Sequence, residues 1–373
     1  MDMFRNAWVF IDRDNEADDS AEHLYRYVRK QMPGANAFFV LSRTAPQWPR
    51  LADDGFRLLP FNEPEHALAL LNADLLISSQ ADHYVVDYLE EKFFGDLKKY
   101  RFVFLQHGVI KDDLSGWLNG IKIDCLITTT RAEYDSIVAD GSGYRLTARE
   151  VALTGLPRHD ALLAAPRSGR RWLVVMPTWR ESLTGIGDSA GHERPVSPAF
   201  QRSEFARRWR DLLHSPRLLD AATAAGRSVL FVPHPHLEPH IAHLCPPGVE
   251  VRRFSDRDSI QPVFADLDLL VTDFSSKAFD AALLGRPVIY YQFDREDFFG
   301  GEHAGAPGYF DYERDGFGPV VGDHEALLDL IEARLKGTEP DSIYRERADA
   351  TFQFRDGKCC ERVLEAIRAL AEA

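Results

Sequence analysis

The sequence predicts an α/β protein with two successive doubly wound domains and a cleft between them. The chain has 373 residues, more than one ordinary core accommodates, so two domains of about 150–190 residues are expected. Short apolar runs alternate with amphipathic stretches along nearly the whole length, the pattern of parallel strands joined by crossover helices. That pattern stops once and starts again, on either side of a Pro/Gly/Arg-rich stretch, Ala164–Arg171 (AAPRSGRR).

In the first series, Trp8–Ile11 (WVFI), Phe38–Leu41 (FFVL), Leu75–Ile77, Phe102–Leu105 (FVFL) and Leu126–Ile127 read as buried strands. Ala21–Met32, Glu65–Leu71 and Ala132–Val138 carry apolar residues three or four apart and read as helices. In the second, Trp172–Met176 (WLVVM), Val229–Val232, Leu269–Thr272 and Val288–Tyr291 (VIYY) are strands, with helices at Phe205–Leu213, Lys277–Leu284 and His324–Leu335. Leu183–Ser197 is polar, contains Gly and reads as a mobile loop; Ser342–Ala373 reads as helical with a break near Asp356-Gly357. The expected division is 1–165 for the first domain, 166–345 for the second and 346–373 for a C-terminal helical segment.

The composition, 45% hydrophobic and 27% charged, is that of a globular protein. A formal charge of −14 argues against nucleic-acid binding, which needs a basic surface, yet leaves room for a local basic groove. Cys125, Cys245, Cys359 and Cys360 have neither zinc-site nor disulfide spacing, which points to a reducing compartment. The N-terminal apolar run is followed at once by acidic residues, so it reads as a strand and not a signal peptide. No window approaches about 18 apolar residues, so no transmembrane helix is expected. The expected location is cytoplasmic, with any membrane contact peripheral and on the inner face. Phe200–Arg217 has basic amphipathic character; packing into the second domain is preferred over lying on a membrane.

In doubly wound sheets ligands bind beyond the carboxyl ends of the strands, and the chemically loaded residues fall there. After Phe102–Leu105 comes Gln106-His107-Gly108-Val109-Ile110-Lys111. A neutral imidazole at His107 can take a proton from an attacking hydroxyl, and Lys111 can offer charge to an anion; the plain alternative is a turn histidine bonded to backbone. In Leu153–Asp160 (LTGLPRHD), Gly155 and Pro157 suggest a tight turn from which Arg158 and His159 project, as a domain crossing or as ligand contacts. In Val175–Arg180 (VMPTWR), Arg180 can fork on to phosphate oxygens or stack on Trp179. In Phe231–Leu237 (FVPHPHL), His234 and His236 lie two apart, but flanking prolines and the lack of nearby ligands speak against a metal. A single histidine at a phosphate, or a structural loop histidine, fits better. In Asp266–Tyr291 a strand ends at Thr272-Asp273, and Ser275-Ser276 open the next helix. Unpaired N–H groups there make a natural pyrophosphate seat, compatible with ordinary capping by Ser275.

Taken in order, QHGVIK, TGLPRHD, MPTWR, VPHP and VTDFSSKAFDAALLGRPVIYY resemble the motifs of the CDP-glycerol glycerophosphotransferase family, which includes teichoic-acid primases and polymerases and related capsule transferases. The resemblance continues through Tyr309–Val321 and Phe354–Val363, and more faintly Ile11–Tyr25, so it covers most of the chain. It implies a GT-B fold: two Rossmann-like domains facing a cleft, with C-terminal helices crossing back to the first. It implies transfer of a polyol phosphate, glycerol phosphate favoured, from a CDP-polyol to an acceptor hydroxyl with release of CMP, without metal or cofactor. The implied partners are CDP-glycerol or CDP-ribitol, a polyol-phosphate or glycan acceptor that can be lipid-linked, and other capsule-synthesis transferases. His107 matches the general base, His234 the histidine at the donor phosphate, and Ser275 and Ser276 the phosphate-binding pair. Arg180 and Asp273 match donor-pocket positions, and Lys111 and Arg158 stand as candidate acceptor or phosphate contacts. The QHG-x-x-KDD form, with Trp117-Leu118-Asn119 after it, resembles a Gram-negative capsule-type branch, and Phe274 stands where a tyrosine is frequent. Two other functions fit the pattern: a nucleotide-sugar glycosyltransferase of the same fold, or a non-catalytic module that keeps the pocket.

Overall fold

The computed structural model describes residues 2–184, 198–302, 306–338 and 342–372. The first sheet contains β1 (Ala7–Ile11), β2 (Ala37–Leu41), β3 (Leu58–Pro60), β4 (Ala73–Ser78), β5 (Arg101–Phe104), β6 (Cys125–Thr128) and β7 (Val151–Leu153). The second contains β8 (Trp172–Met176), β9 (Ser228–Phe231), β10 (Glu250–Val251), β11 (Leu267–Thr272), β12 (Val288–Tyr291) and β13 (Val320–Val321). Their orders are β3-β2-β1-β4-β5-β6-β7 and β10-β9-β8-β11-β12-β13, with parallel pairing throughout. Val9 pairs with Phe38 on one side and Leu76 on the other; Val175 pairs with Phe231 and Val271. Both orders are Rossmann orders, and each reverses once, between β1 and β4 and between β8 and β11, where a ligand crevice opens.

The strands are apolar on both faces because helices cover both. Val9, Phe38, Leu76 and Phe104 lie in one buried cluster of the first domain, and Phe10, Phe39, Ile77 and Val103 in the other. The period of two along each strand produces that split. In the second domain Val174 and Leu270 face one cluster and Val175 and Val271 the other.

Helices packed on these sheets include α1 (Ser20–Gln31), α2 (Arg131–Val138), α3 (Pro157–Ala164), α4 (Glu204–Leu213), α5 (Lys277–Leu283) and α6 (Cys359–Glu372). Pro157 starts α3 at its first turn, so Arg158 and His159 belong to a helix and not to the tight turn expected; the turn is Gly155, at φ +79. Helix α4 buries Phe205, Trp209, Leu212 and Leu213 against the second sheet, so its apolar face is spent on the core. Among the described residues no helix is long and apolar enough to cross a membrane.

The chain crosses between the domains after α3 and again before α6. Ala348 and Phe352 pack in the second domain, whereas Cys360, Val363, Leu364 and Ile367 of α6 join Phe10, Leu24 and Val28 in the first. The Asp160 carboxylate accepts the N–H groups of Cys359 and Cys360, both at 2.8 Å, and so caps α6. The two cysteines are buried free thiols. Of the expected loop 183–197, residues 185–197 lie outside the described residues; Leu183 and Thr184 end a short helix, Glu181–Thr184.

Candidate active site

A cavity of about 290 Å³ lies between the carboxyl ends of the two sheets. Its first-domain wall comes from the segments after β1 (Asp12, Arg13, Asp19), β4 (Gln80) and β5 (His107 to Asp112). Its second-domain wall comes from those after β8 (Met176 to Trp179), β9 (His234) and β11 (Phe274 to Lys277). His107, Lys111, His234, Ser275 and Ser276, scattered in sequence, therefore meet in one place. Arg158, Arg180 and Asp273 do not line it.

The loop that carries His107 is held from three directions. Gln106 adopts φ 63, a left-handed conformation that costs a non-glycine residue energy and turns the chain sharply out of β5. Its side-chain amide donates to the Ile127 carbonyl and, at 3.3 Å, to Glu133 Oε1. Glu133 also accepts the N–H of Ile110 at 2.7 Å and of Thr129 at 2.6 Å. The same carboxylate closes a capping box with Thr130 at the start of α2. Val109 then packs into the second-domain cluster with Met176 and Phe274, while Ile110 packs into the first-domain cluster with Phe104.

The His107 ring opens on to the cavity. Although the residue is exposed to the cleft, the crowding of protein around it strips hydration from the ring, and that loss, reinforced by Arg13 and Arg158 and opposed by Asp19 and Asp82, brings its pKa down to about 4. The imidazole is therefore neutral at pH 7 and can accept a proton.

Opposite it stands the start of α5. Ser276 occupies the N-cap position but its side chain makes no capping bond; Ser275 Oγ instead accepts the N–H of Lys277 at 3.2 Å. His234 Nδ1 accepts the N–H of His236 at 3.3 Å. Both imidazoles pack on Trp179, His234 stacked at 5.8 Å and His236 edge-on at 4.4 Å.

Three of the expected contacts serve as supports behind the cavity. Arg180 is fully buried and bonds Asp273 at 2.9 Å, Asp294 at 2.9 and 3.0 Å and the Thr178 carbonyl at 2.9 Å. Phe274 and Phe298 flank its guanidinium. Asp273 in turn accepts the N–H groups of Thr178 and Phe274 at 2.8 and 2.7 Å. This pair ties the loops after β8 and β11 together beneath the cavity. Arg158 bridges the domains: Nη1 donates to Asp19 at 2.9 Å, and Nη2 donates to both oxygens of Asp280 at 3.0 and 3.1 Å. At 1% exposure it is held inside the interface by these carboxylates. Lys111 does reach the cavity, paired with Asp112 and facing the Tyr312 ring at 5.5 Å.

The chain matches, over residues 3–369, the model of the family described as CDP-Glycerol:Poly(glycerophosphate) glycerophosphotransferase. The chain belongs to this family. It is 33% identical over 370 residues to the minor teichoic acid biosynthesis protein GgaB of Bacillus subtilis (strain 168), a match covering 98% of this chain and 40% of that protein. It is 33% identical over 121 residues to a teichoic acid glycerol-phosphate transferase of Staphylococcus aureus, covering 31% of this chain and 30% of that protein. The chain thus spans less than half the length of these relatives. Its fold matches that of the wall teichoic acid polymerase TagF with a TM-score of 0.65 at 18% identity, covering 100% of this chain and 91% of that one. The S. aureus MnaA-UDP co-structure matches with a TM-score of 0.61 at 12% identity, covering 99% and 97%. The GT-B architecture is therefore shared with TagF.

Sequence reasoning missed Arg13, Asp19, Glu133 and Lys277. Glu133 had a readable signal, the Thr-x-x-Glu capping box of TRAE. Arg13 and Asp19 sit at the β1 end of the switch point, which the strand order alone would have marked. Lys277 looked like an ordinary helix residue beside two serines.

Proposed function

We propose that the chain transfers a polyol phosphate, glycerol phosphate in the first instance, from a CDP-polyol to an acceptor hydroxyl with release of CMP, in the synthesis of a teichoic-acid-like surface or capsule polymer. The observation that carries this reading is the placement of His107 and the Ser275–Ser276 pair on opposite walls of one cavity. The acceptor oxygen attacks the β-phosphorus of the donor while His107 takes its proton. The bond from that phosphorus to the bridging oxygen breaks, and the electron pair leaves on CMP. Ser275, Ser276 and His234 donate hydrogen bonds to the diphosphate, so that catalysis rests on positioning and charge stabilisation. Val109 and Ile110 fix the base between the domains, and the Arg180–Asp273 pair fixes the opposing loops.

Support comes from the family itself, from the teichoic-acid function named for GgaB, and from TagF, which has also been solved with CDPG. CDP-ribitol is the competing donor, because ribitol-phosphate polymerases are also among the similar proteins, such as TarL of S. aureus at 23% identity over 231 residues, 58% of this chain and 36% of that protein. The acceptor in this reading is a polyol-phosphate or glycan hydroxyl, presented by a peripheral encounter at the inner face of the membrane.

The test is CMP release from CDP-glycerol and CDP-ribitol with candidate acceptors, followed by analysis of the new linkage. A phosphodiester supports the reading; a glycosidic bond formed from a nucleotide sugar overturns it. His107→Ala should bind CDP as the parent does and lose turnover, and undiminished turnover would remove His107 from its role.

A further inference from the structure

The two walls of the cavity differ in charge. The first-domain wall carries Asp12, Glu16, Asp18, Asp19 and Asp112 against Arg13 and Lys111, an acidic excess, while among the described lining residues the second-domain wall carries no acidic side chain. An anionic diphosphate is therefore steered on to the second-domain wall. There, Lys277 is the one lysine or arginine among the described lining residues. It opens α5 directly after Ser276.

We propose that Lys277 is a ligand of the donor diphosphate, exchanging its bond to Asp280 for one to a phosphate oxygen. The inference rests on the donor assigned above and adds to it a residue that neutralises charge. Lys277 Nζ lies 3.1 Å from Asp280 Oδ2, and its side chain keeps 17% exposure toward the cleft. The rings of Phe254 and Phe264 lie 5.8 and 6.0 Å from the ammonium.

The exchange is inexpensive because Asp280 is supplied with donors beyond its need. Arg158 holds both its oxygens, and His159 Nε2 lies 3.2 Å from Oδ1. Removing the partner of a buried charge is costly only when that charge is left uncompensated. Asp280 loses Lys277 and keeps a bidentate guanidinium. Arg158 is less free to make the same move, since its release would break its bond to Asp19 and both of its bonds to Asp280 across the domain interface. Lys277 is thus the cation that can turn to a ligand without disturbing the interface.

Titration calorimetry with CDP and with cytidine separates the possibilities. The parent chain should bind CDP. Lys277→Gln should weaken CDP by about 10- to 100-fold, the range expected for a charge-assisted bond, with cytidine affinity unchanged and a flatter salt dependence. Lys277→Arg should recover most of the loss. Equal CDP affinity in Lys277→Gln and the parent overturns the Lys277 assignment and leaves the donor reading standing. A parallel loss of cytidine affinity also overturns it, as a collapse of pocket shape. A parent chain that does not bind CDP overturns both. Melting temperatures accompany each variant, and Lys277→Met is judged by the same comparison if the glutamine variant does not fold.

Discussion

Gly108 and Ser276 face each other across the cleft with no room for a methyl group between them: a Cβ built on Gly108 would overlap the Ser276 hydroxyl. The backbone at Gly108 is not left-handed, so alanine is acceptable to the chain and unacceptable only to the opposite domain. Gly108→Ala should leave the melting temperature nearly unchanged and lower kcat/KM by about 10²-fold, the cost of misplacing reacting groups by roughly an ångström. In a double-mutant cycle, Ser276→Gly removes the obstacle, so the double variant should be no worse than Ser276→Gly alone. Additive losses would show that the close approach is incidental.

The pH profile tests the base. With its pKa near 4, His107 is unprotonated in the free chain across the neutral range, so kcat/KM should stay flat on its account down to about pH 5. An anionic donor beside the ring favours the protonated form, so the acid limb of kcat should lie at higher pH than that of kcat/KM. Coincident limbs would place the titrating group elsewhere.

Glu133 links the capping of α2 to the shape of the His107 loop. Glu133→Ala removes the acceptor for Ile110 N–H, Thr129 N–H and the Gln106 amide. Leaving these groups unpaired should cost about 2–4 kcal/mol in urea unfolding. Turnover should fall further than CDP affinity, because the donor wall is untouched. A loss of CDP binding equal to the loss of turnover would contradict this division.

Much of this arrangement was legible in the sequence. Trp172–Met176 and Val288–Tyr291 were readable to the residue, since a strand buried on both faces is a continuous apolar run. The strands β10 and β13 were not, because two-residue edge strands carry no periodicity. The gathering of His107, Ser275 and Ser276 followed from strand-end logic. The burial of Arg158 and Arg180 did not, because an arginine reads alike in sequence whether it meets a ligand or a carboxylate more than a hundred residues away. Asp280 and Asp294 decide that, and neither adjoins its arginine in the chain.

His66 offers a test of stability with pH. It is 2% exposed and stacked on Tyr88 at 4.0 Å, and burial lowers its pKa to about 3. A folded-state pKa below the unfolded value of about 6.5 means that the stability contributed is complete above pH 6.5 and is lost as pH falls toward 3. Over that window the loss from this group approaches about 1.4 kcal/mol per pH unit. His66→Phe should flatten the acid side of the stability curve, and an unchanged slope would assign the acid sensitivity to other groups.

The two covalent crossings between the domains, one leaving α3 and one entering α6, are fastened to each other by Asp160. The lobes are also held by Arg158, which joins Asp19 to Asp280, and by Gln47, which donates to the carbonyls of Phe254 and Asp256. The spacing of Gly108 and Ser276 is thus set within one molecule, so Asp160→Ala should loosen it and lower turnover without making turnover depend on protein concentration.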